Sequence, residues 1–223
     1  MIITIDGPAG TGKSTVARKV AERLSFDFLD TGAMYRTIAL EALRRKVSLT
    51  DARELAFVAR HCRIGFDWSK RPPAVLLNGE PVSHLIRGSE VASAASFVAA
   101  VGAVRQRLVQ EQQRIGAEHG NLVTEGRDQG TVVFPEARAK FYLDATPAER
   151  CRRRVAQLRA RGEMVNSDEV LREIIERDKR DSTRAVGPLI VPPDAQVIDT
   201  TKLSEDEVVD RIVTRATSLM DAT

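Results

Sequence analysis

One octapeptide near the start of the chain restricts its fold more than any other feature: Gly7-Pro8-Ala9-Gly10-Thr11-Gly12-Lys13-Ser14. It fits the pattern G-x-x-x-x-G-K-[ST], in which glycines let backbone N–H groups converge on phosphate oxygens at the start of a helix. The flanking residues supply the strand and the helix that this loop requires. Ile2 to Ile5 is a short β-branched run, and apolar residues from Val16 to Leu24 recur at helical spacing. The chain is therefore predicted to bind a nucleoside triphosphate.

Two residues of this loop have specific predicted roles. Lys13 is predicted to reach the β- and γ-phosphates, and the Ser14 hydroxyl is predicted to ligate Mg²⁺ bound with ATP. Asp6 and Asp30 are further candidates, for orienting metal-bound water. The predicted ATP-binding residues are Gly7, Pro8, Ala9, Gly10, Thr11, Gly12, Lys13, Ser14 and Thr15.

Strand-like and helix-like segments alternate along most of the chain, which favours an α/β fold. Residues 33 to 45 have helical periodicity, and one apolar stripe from Val208 to Leu219 predicts a final helix. A mainly parallel sheet covered on both faces is expected, as in a three-layer P-loop NTPase-type sandwich. Besides Ile2 to Ile5, the predicted strands are Phe26 to Leu29, Leu122 to Thr124, Lys140 to Leu143 and Gln196 to Ile198.

Two segments depart from this alternation. Between Arg63 and Ile86, short strands surround an Asn78-Gly79 pair, which predicts an antiparallel hairpin and a small β insert. Residues 149 to 161 form a very basic predicted helix, which Gly162 separates from a second helix starting near Ser167. The expected domains are a core (1–62, 87–148 and 163–223), a substrate-binding β insert (63–86, extending to about 100) and a basic lid (149–162).

Composition excludes several classes of protein. The 223 residues are 43% hydrophobic and 29% charged, as in an ordinary globular protein, so extensive disorder is excluded. A net charge of +3 is too small to imply nucleic-acid binding, and no stretch is long and apolar enough for a membrane span. Cys62 and Cys151 lie far apart, which suggests reduced thiols and a cytoplasmic location. We expect a monomer.

Arginines follow the predicted strands at the edge where the phosphate loop lies. Arg36 follows the second strand within Asp30-Thr31-Gly32-Ala33-Met34-Tyr35-Arg36, where Thr31 is also able to cap the next helix. Arg127 follows another strand within Thr124-Glu125-Gly126-Arg127-Asp128-Gln129-Gly130-Thr131. Several arginines around one phosphate site indicate a second phosphorylated substrate facing ATP. No Asn-Lys-x-Asp motif of guanine-specific GTPases is present.

Four segments together resemble the bacterial cytidylate kinase family. They are G-P-A-G-T-G-K-S, D-T-G-A-M-Y-R, E-G-R-D-Q-G-T-V-V-F-P and E-R-D-K-R-D-S-T-R-A-V-G-P-L, and the likeness runs from Ile3 to about Val213. The resemblance implies that ATP phosphorylates CMP or dCMP, giving CDP or dCDP plus ADP. It also implies a core with a mobile nucleotide-binding insert and a lid, here the basic segment with Arg150, Arg153, Arg154 and Arg161.

The resemblance also implies roles for individual residues. Thr31, Arg36, Arg127 and Arg184 correspond to the contacts with the CMP phosphate, and together with Lys13 the three arginines form the expected catalytic set. Arg177 and Asp181 correspond to the ribose site, and Ser96, Arg105 and Asp128 to the cytosine site.

The chemistry of cytosine agrees with the last of these assignments. Its N4 amine donates a hydrogen bond where uracil accepts one, so a carboxylate with an arginine distinguishes the two bases. Ser96 and Arg105 are nine residues apart and would face opposite ways on one straight helix. If both touch one base, the helix must break near Gly102. Arg177, Asp181 and Arg184 fall on one stripe of a predicted helix that Gly187-Pro188 ends.

Some alternatives stay open at this point. Spacing does not decide which of Arg150, Arg153, Arg154, Arg159 and Arg161 contacts the transferred phosphoryl group. The acceptor could instead be UMP or shikimate, and the basic helix could belong to a noncatalytic RNA-binding module. The three histidines have no metal-ligand spacing and are assigned structural or surface roles.

Overall fold

The computed structural model describes residues 1–222, in which strands and helices alternate over most of the length. The strands are β1 (Ile2–Asp6), β2 (Asp27–Asp30), β3 (Ile64–Asp67), β4 (Ala74–Leu77), β5 (Glu80–Pro81), β6 (Leu122–Gly126), β7 (Ala139–Asp144) and β8 (Gln196–Asp199). The α-helices are α1 (Lys13–Leu24), α2 (Thr31–Arg44), α3 (Ala52–His61), α4 (Ser89–Val98), α5 (Gly102–His119), α6 (Pro147–Arg159), α7 (Ser167–Thr183) and α8 (Glu205–Asp221). A 3₁₀ turn covers Leu85–Arg87, and a π-helical turn covers Gln129–Val133.

Five strands form the central sheet, in the order β2-β6-β1-β7-β8. Every neighbouring pair in this sheet is parallel. Because parallel strands end at the same edge, the residues that follow β1, β2 and β6 are brought together there. The phosphate loop follows β1, so this edge is where the predicted site must form. The predicted mainly parallel sheet is confirmed.

Helices cover both faces of the central sheet, as the predicted three-layer arrangement requires. On one face, α1 and α8 pack against Ile3, Ile5 and Val123. On the other face, α2, α3 and α5 pack around Leu29 and Leu122. The neighbours Leu122 and Val123 contribute to opposite layers, because successive side chains of a strand point to opposite faces.

The small antiparallel sheet is also present, with strand order β3-β4-β5. Asn78 and Gly79 both have positive φ, the conformation that a two-residue hairpin turn demands. Ile64, Val75 and Leu77 are buried in the same apolar cluster as α2 and α5. The insert therefore shares its apolar core with those helices.

The helix break expected near Gly102 is confirmed. α4 ends at Val98 and α5 begins at Gly102, with extended backbone at Val101 between them. The Arg105 guanidinium donates a hydrogen bond to the Ala99 carbonyl at 3.2 Å. The break thus turns Ser96 and Arg105 toward one cavity, which a continuous helix would prevent.

The basic segment forms α6, and α7 packs against it through a separate apolar cluster that includes Cys151, Val155 and Ile174. One sequence prediction is wrong here. α7 ends at Thr183, and Arg184 follows it with extended backbone, so Arg177, Asp181 and Arg184 do not share one helix. Gly187 lies beyond the helix end and takes a left-handed conformation in the next turn.

Cys62 and Cys151 are buried and free, as predicted. In the part of the chain that the model describes, no helix is both long and apolar enough to cross a membrane.

Candidate active site

A cavity of about 500 Å³ opens at the carboxyl ends of β1, β2 and β6. Eight basic side chains line it: Lys13, Arg36, Arg105, Arg127, Arg153, Arg154, Arg177 and Arg184. Four carboxylates also line it: Glu125, Asp128, Asp181 and Glu205. This excess of basic groups suits an anionic ligand. The cavity also includes Thr31 and Ser96, so the structure brings every predicted acceptor-site residue together.

The phosphate loop forms one end of this cavity. Gly10, Gly12, Lys13, Ser14 and Thr15 line the cavity, as does Ala9, whereas Gly7, Pro8 and Thr11 lie behind it. Gly12 has φ 90° and precedes α1, whose first N–H groups receive no side-chain cap. These uncapped donors and the positive end of the helix dipole favour a phosphate at this position.

Lys13 is folded back onto its own loop. Its ammonium group donates to the Pro8 carbonyl at 2.6 Å, and only 5% of the residue is exposed. Burial and the nearby Arg127 lower the pKa of Lys13 to about 7. A triphosphate bound in the loop would supply the negative charge that this buried ammonium lacks.

Ser14 is paired with Glu125 from the end of β6. The Ser14 hydroxyl donates to Glu125 Oε1 at 2.6 Å, and burial raises the pKa of this carboxyl group. Glu125 lies in a charged segment of the sequence, but no role was predicted for it. The sequence does contain an indication of one: an acid stands next to the end of a second buried strand, and that strand pairs with the strand that leads into the phosphate loop.

The two aspartates considered for metal-bound water have other partners. Asp6 is fully buried, and its two oxygens accept from Gln129 N at 2.9 Å and Gly130 N at 2.8 Å. Asp30 caps α2 by accepting from Ala33 N and forms an ion pair with Arg36 at 2.7 Å. Neither lines the cavity. Thr31, considered as a helix cap, instead donates to the Glu125 carbonyl at 2.7 Å.

Asp6→Asn is expected to destabilise the protein by about 1–3 kcal/mol at pH 7, because an amide NH₂ would face one of the two backbone donors. Burial raises the pKa of Asp6 to about 6, so the native carboxyl group is mostly ionised at pH 7 and accepts with both oxygens. The midpoint of thermal unfolding should fall by roughly 2–10 °C. Asp210→Asn, on the exposed face of α8, is the matched control. Equal midpoints for the two variants would contradict this role.

Three of the predicted phosphate and ribose residues form one chain of ion pairs with the predicted base residues Asp128 and Arg105. Arg127 Nε lies 2.9 Å from Asp181 Oδ2, and Arg184 Nη1 lies 3.7 Å from Asp181 Oδ1. Arg184 Nη2 is in turn 3.9 Å from Asp128 Oδ1. Asp128 also forms an ion pair with Arg105, whose guanidinium lies over the Tyr35 ring at 5.4 Å from its centroid.

Several guanidinium nitrogens in this cavity are buried without a hydrogen-bond partner in the described structure. They are Arg177 Nε, Arg184 Nη2 and Arg105 Nε. Burial and the neighbouring Arg127 lower the pKa of Arg177 to about 10. Unpaired buried donors are costly, so an acceptor-rich ligand that let these side chains turn toward the cavity would stabilise them.

The arginines of the basic segment differ in whether they line the cavity. Arg154 lines the cavity, as does Arg153, which donates to the Thr200 carbonyl at 2.6 Å. Arg150 does not line the cavity; it is buried in an ion pair with Asp178 at 2.7 Å and donates to the Ala9 carbonyl at 3.2 Å. Arg161 also lies outside the cavity and donates to the Arg87 carbonyl. Arg159 is exposed.

The three histidines have no metal-ligand arrangement. His119 pairs with Asp27 at 2.8 Å and stacks on Trp68, with 3.9 Å between ring centroids. Among residues 1–222, no group of three His, Cys, Asp or Glu side chains is arranged to hold a metal ion.

Comparison with known proteins adds independent findings. Residues 3–218 match the family model described as cytidylate kinase. The cytidylate kinase of Caldanaerobacter subterraneus subsp. tengcongensis is 48% identical over 210 residues, covering 94% of this chain and 92% of that protein. Cytidylate kinase 1 of Haemophilus influenzae is 49% identical, covering 95% of this chain and 91% of that protein.

Solved structures resemble the fold at much lower identity. An uncharacterized protein from Eubacterium ventriosum superposes with a TM-score of 0.55 at 14% identity, with 98% of each chain covered. Shikimate kinase from Bacteroides thetaiotaomicron superposes with a TM-score of 0.50 at 16% identity, covering 99% of this chain and 98% of that one. At this level of identity the likeness establishes a shared fold alone.

Proposed function

Because this chain belongs to the cytidylate kinase family, it is a kinase that phosphorylates CMP with ATP, and we propose which residues carry out the transfer. We also propose that dCMP is accepted. The observation that carries the residue assignments is the set of unpaired guanidinium donors around the cavity. The noncatalytic alternative and the shikimate alternative are wrong, because both conflict with the family.

ATP occupies the end of the cavity formed by the phosphate loop in this proposal. Backbone N–H groups before and at the start of α1 bind the phosphates, and Lys13 turns from the Pro8 carbonyl toward the β- and γ-phosphates. The Ser14 hydroxyl and the Glu125 carboxylate, 2.6 Å apart, are oxygen groups of the kind that Mg²⁺ prefers. Mg²⁺ held there with ATP would neutralise part of the triphosphate charge.

CMP occupies the other end of the cavity. Arg36, Arg127 and Arg184 bind its phosphate, and the Thr31 hydroxyl lies beside them. Arg177 and Asp181 bind the ribose. The unpaired Arg177 Nε and Arg184 Nη2 support this arrangement, because nucleotide oxygens would satisfy both once these side chains turn toward the cavity.

Asp128, Arg105 and Ser96 recognise the cytosine. Asp128 accepts from the N4 amine, and Arg105 donates to N3 or O2. Both side chains are at least 96% buried, so an unmatched donor or acceptor on the wrong base would be expensive. The Arg105–Asp128 pair fixes both groups before the nucleotide arrives.

The transfer itself needs little proton chemistry. The attacking CMP phosphate oxygen is largely anionic at pH 7, since a phosphate monoester has a second pKa of about 6. The basic residues therefore hold donor and acceptor phosphates in line and offset their mutual repulsion. Arg153 and Arg154 are the α6 arginines proposed to face the transferred group, because they line the cavity.

The insert and the lid complete the proposal. Ala92, Ala95 and Ser96 of α4 line the cavity, whereas Phe66 and Val75 of the small sheet line a neighbouring one of about 510 Å³. The substrate domain is therefore proposed to extend from residue 63 to about residue 100. Residues 149–162 are proposed to close over ATP and exclude water. The two buried free thiols support action in the cytoplasm.

The experiment that tests this function is an acceptor panel. ADP formation is measured with ATP and, in turn, CMP, dCMP, UMP, AMP, GMP, dTMP and shikimate. CMP and dCMP should give the largest kcat/KM. A clear preference for AMP, GMP or shikimate would contradict the cytosine site.

Asp128→Asn is expected to lower the CMP/UMP ratio of kcat/KM by roughly 10- to 100-fold. The asparagine amide can turn its NH₂ group toward the uracil O4 and no longer offers the cytosine amine two acceptor oxygens. Both acceptors are measured with the same protein preparation, and Asp210→Asn serves as the surface control. An unchanged ratio would remove Asp128 from base recognition.

A further inference from the structure

Arg180 lies on α7 among residues of the active site, but its side chain points elsewhere. Arg177 and Asp181 line the cavity, whereas Arg180 does not. Its Nε donates instead to the Ser96 hydroxyl of α4 at 3.3 Å. Its guanidinium also lies over the Phe97 ring, 5.2 Å from the ring centroid. Arg180 therefore connects α7 to the helix that carries Ser96.

The other contacts of Arg180 are weak. Its ion pair with Glu176 spans 3.9 Å between groups whose side chains are 36% and 71% exposed. Exposed pairs of this kind contribute little to stability. The contact with α4 is thus the main interaction of this side chain, and Ser96, only 4% exposed, also lines the cavity.

The direction of the hydrogen bond determines what Ser96 offers to a ligand. A serine hydroxyl has one proton to donate and two lone pairs that accept, whereas a guanidinium group has donors only. Arg180 therefore occupies a lone pair of Ser96 and leaves the hydroxyl proton free to point into the cavity. A hydroxyl held this way favours an acceptor on the facing base. Cytosine has such an acceptor at N3, where uracil carries a proton, so a hydroxyl that faces N3 distinguishes the two bases, whereas O2 accepts in both.

We propose that Arg180 is a positioning residue, which fixes the Ser96 hydroxyl as a donor toward the base and so contributes to the choice of cytosine over uracil. This inference rests on the proposed function, because it requires Ser96 to contact the base. Arg180 acts through Ser96 and touches no substrate atom. It also joins the base-binding helix α4 to α7, which carries the ribose residues.

The test is a double-mutant cycle with Arg180→Met and Ser96→Ala, in which kcat and KM are measured for CMP and for UMP. Arg180→Met should lower the CMP/UMP ratio of kcat/KM by roughly 3- to 10-fold, mainly through a higher KM for CMP. In the Ser96→Ala background, Arg180→Met should leave the ratio unchanged. Lys179→Met, at an exposed neighbouring position of α7, is the matched control and should behave like the wild type.

The ratio is independent of the fraction of folded protein, so a loss of stability cannot imitate the expected result. A fall in kcat for both acceptors at an unchanged ratio would overturn the inference, because it would indicate a merely structural role. An undiminished effect of Arg180→Met in the Ser96→Ala background would also overturn it. A wild-type protein without a preference for CMP over UMP would overturn the proposed base recognition itself, and the inference with it.

Discussion

Lys13→Met should lower kcat/KM for phosphorylation of CMP by on the order of 10³-fold, the largest effect expected for a single side chain of this protein. Methionine retains the length of the buried side chain but removes its charge. The Lys13 ammonium lies 2.6 Å from the Pro8 carbonyl of the phosphate loop, and no other lysine lines the cavity of the described chain. Without it, less of the charge that develops between the β- and γ-phosphates would be neutralised.

The measurement is steady-state ADP formation at saturating and at limiting ATP, with circular dichroism to show that the variant is folded. Arg23→Met provides a control on the same helix, since Arg23 pairs with Asp210 on the surface, away from the cavity. Retention of more than about a tenth of the wild-type kcat/KM by Lys13→Met would contradict the role assigned to Lys13.

Gly187→Ala should reduce kcat/KM for CMP by on the order of 10²-fold, although it adds one methyl group. Gly187 has φ 58°, which an alanine adopts only at a cost. A Cβ atom at this position would also overlap Asp128 Oδ2 and lie 2.7 Å from Arg105 Nη2. The methyl group would therefore displace the Arg105–Asp128 pair, which is proposed to recognise the base.

Gly120→Ala separates backbone strain from this collision. Gly120 has φ 65°, but a Cβ atom there meets no atom within 4 Å, and the residue lies at the end of α5, outside the cavity. Both variants should lose stability, whereas only Gly187→Ala should lose activity toward CMP in the folded protein. Equal activity of the two folded variants would show that Gly187 is not needed for the base site.

Local sequence patterns were sufficient to predict much of the fold. The phosphate loop, the parallel strands and the Asn78-Gly79 hairpin each depend on periodicity or on a turn of few residues, which neighbouring sequence determines. The break before Gly102 was predicted differently, from the requirement that Ser96 and Arg105 face one base. Here an expected function, binding of one base by both side chains, predicted the position of a helix break.

The features that the sequence did not predict mostly involve residues whose surroundings come from distant parts of the chain. Asp6 is buried against the backbone N–H groups of Gln129 and Gly130, and Arg184, beyond the end of α7, lies near Asp128. The cap that Asp30 provides is by contrast a local contact with Ala33. Arg150 lies in the same basic stretch of sequence as Arg152, Arg153 and Arg154, but its side chain is buried in an ion pair with Asp178. Nothing in the spacing of α6 distinguishes it from Arg153, because side-chain direction there is set by α7 and the phosphate loop.

Arg177, Asp178 and Asp181 of α7 contact both ends of the active site, which has a consequence for the thermodynamics of ligand binding. Asp178 pairs with Arg150, and Arg150 donates to the Ala9 carbonyl of the phosphate loop. Arg177 and Asp181, on the same helix, line the part of the cavity proposed to bind CMP. If α7 shifts when one nucleotide binds, the contacts available to the other nucleotide change. Such coupling is reciprocal, so each nucleotide must change the dissociation constant of its co-substrate by the same factor. The two affinities of this enzyme would then not be independent quantities.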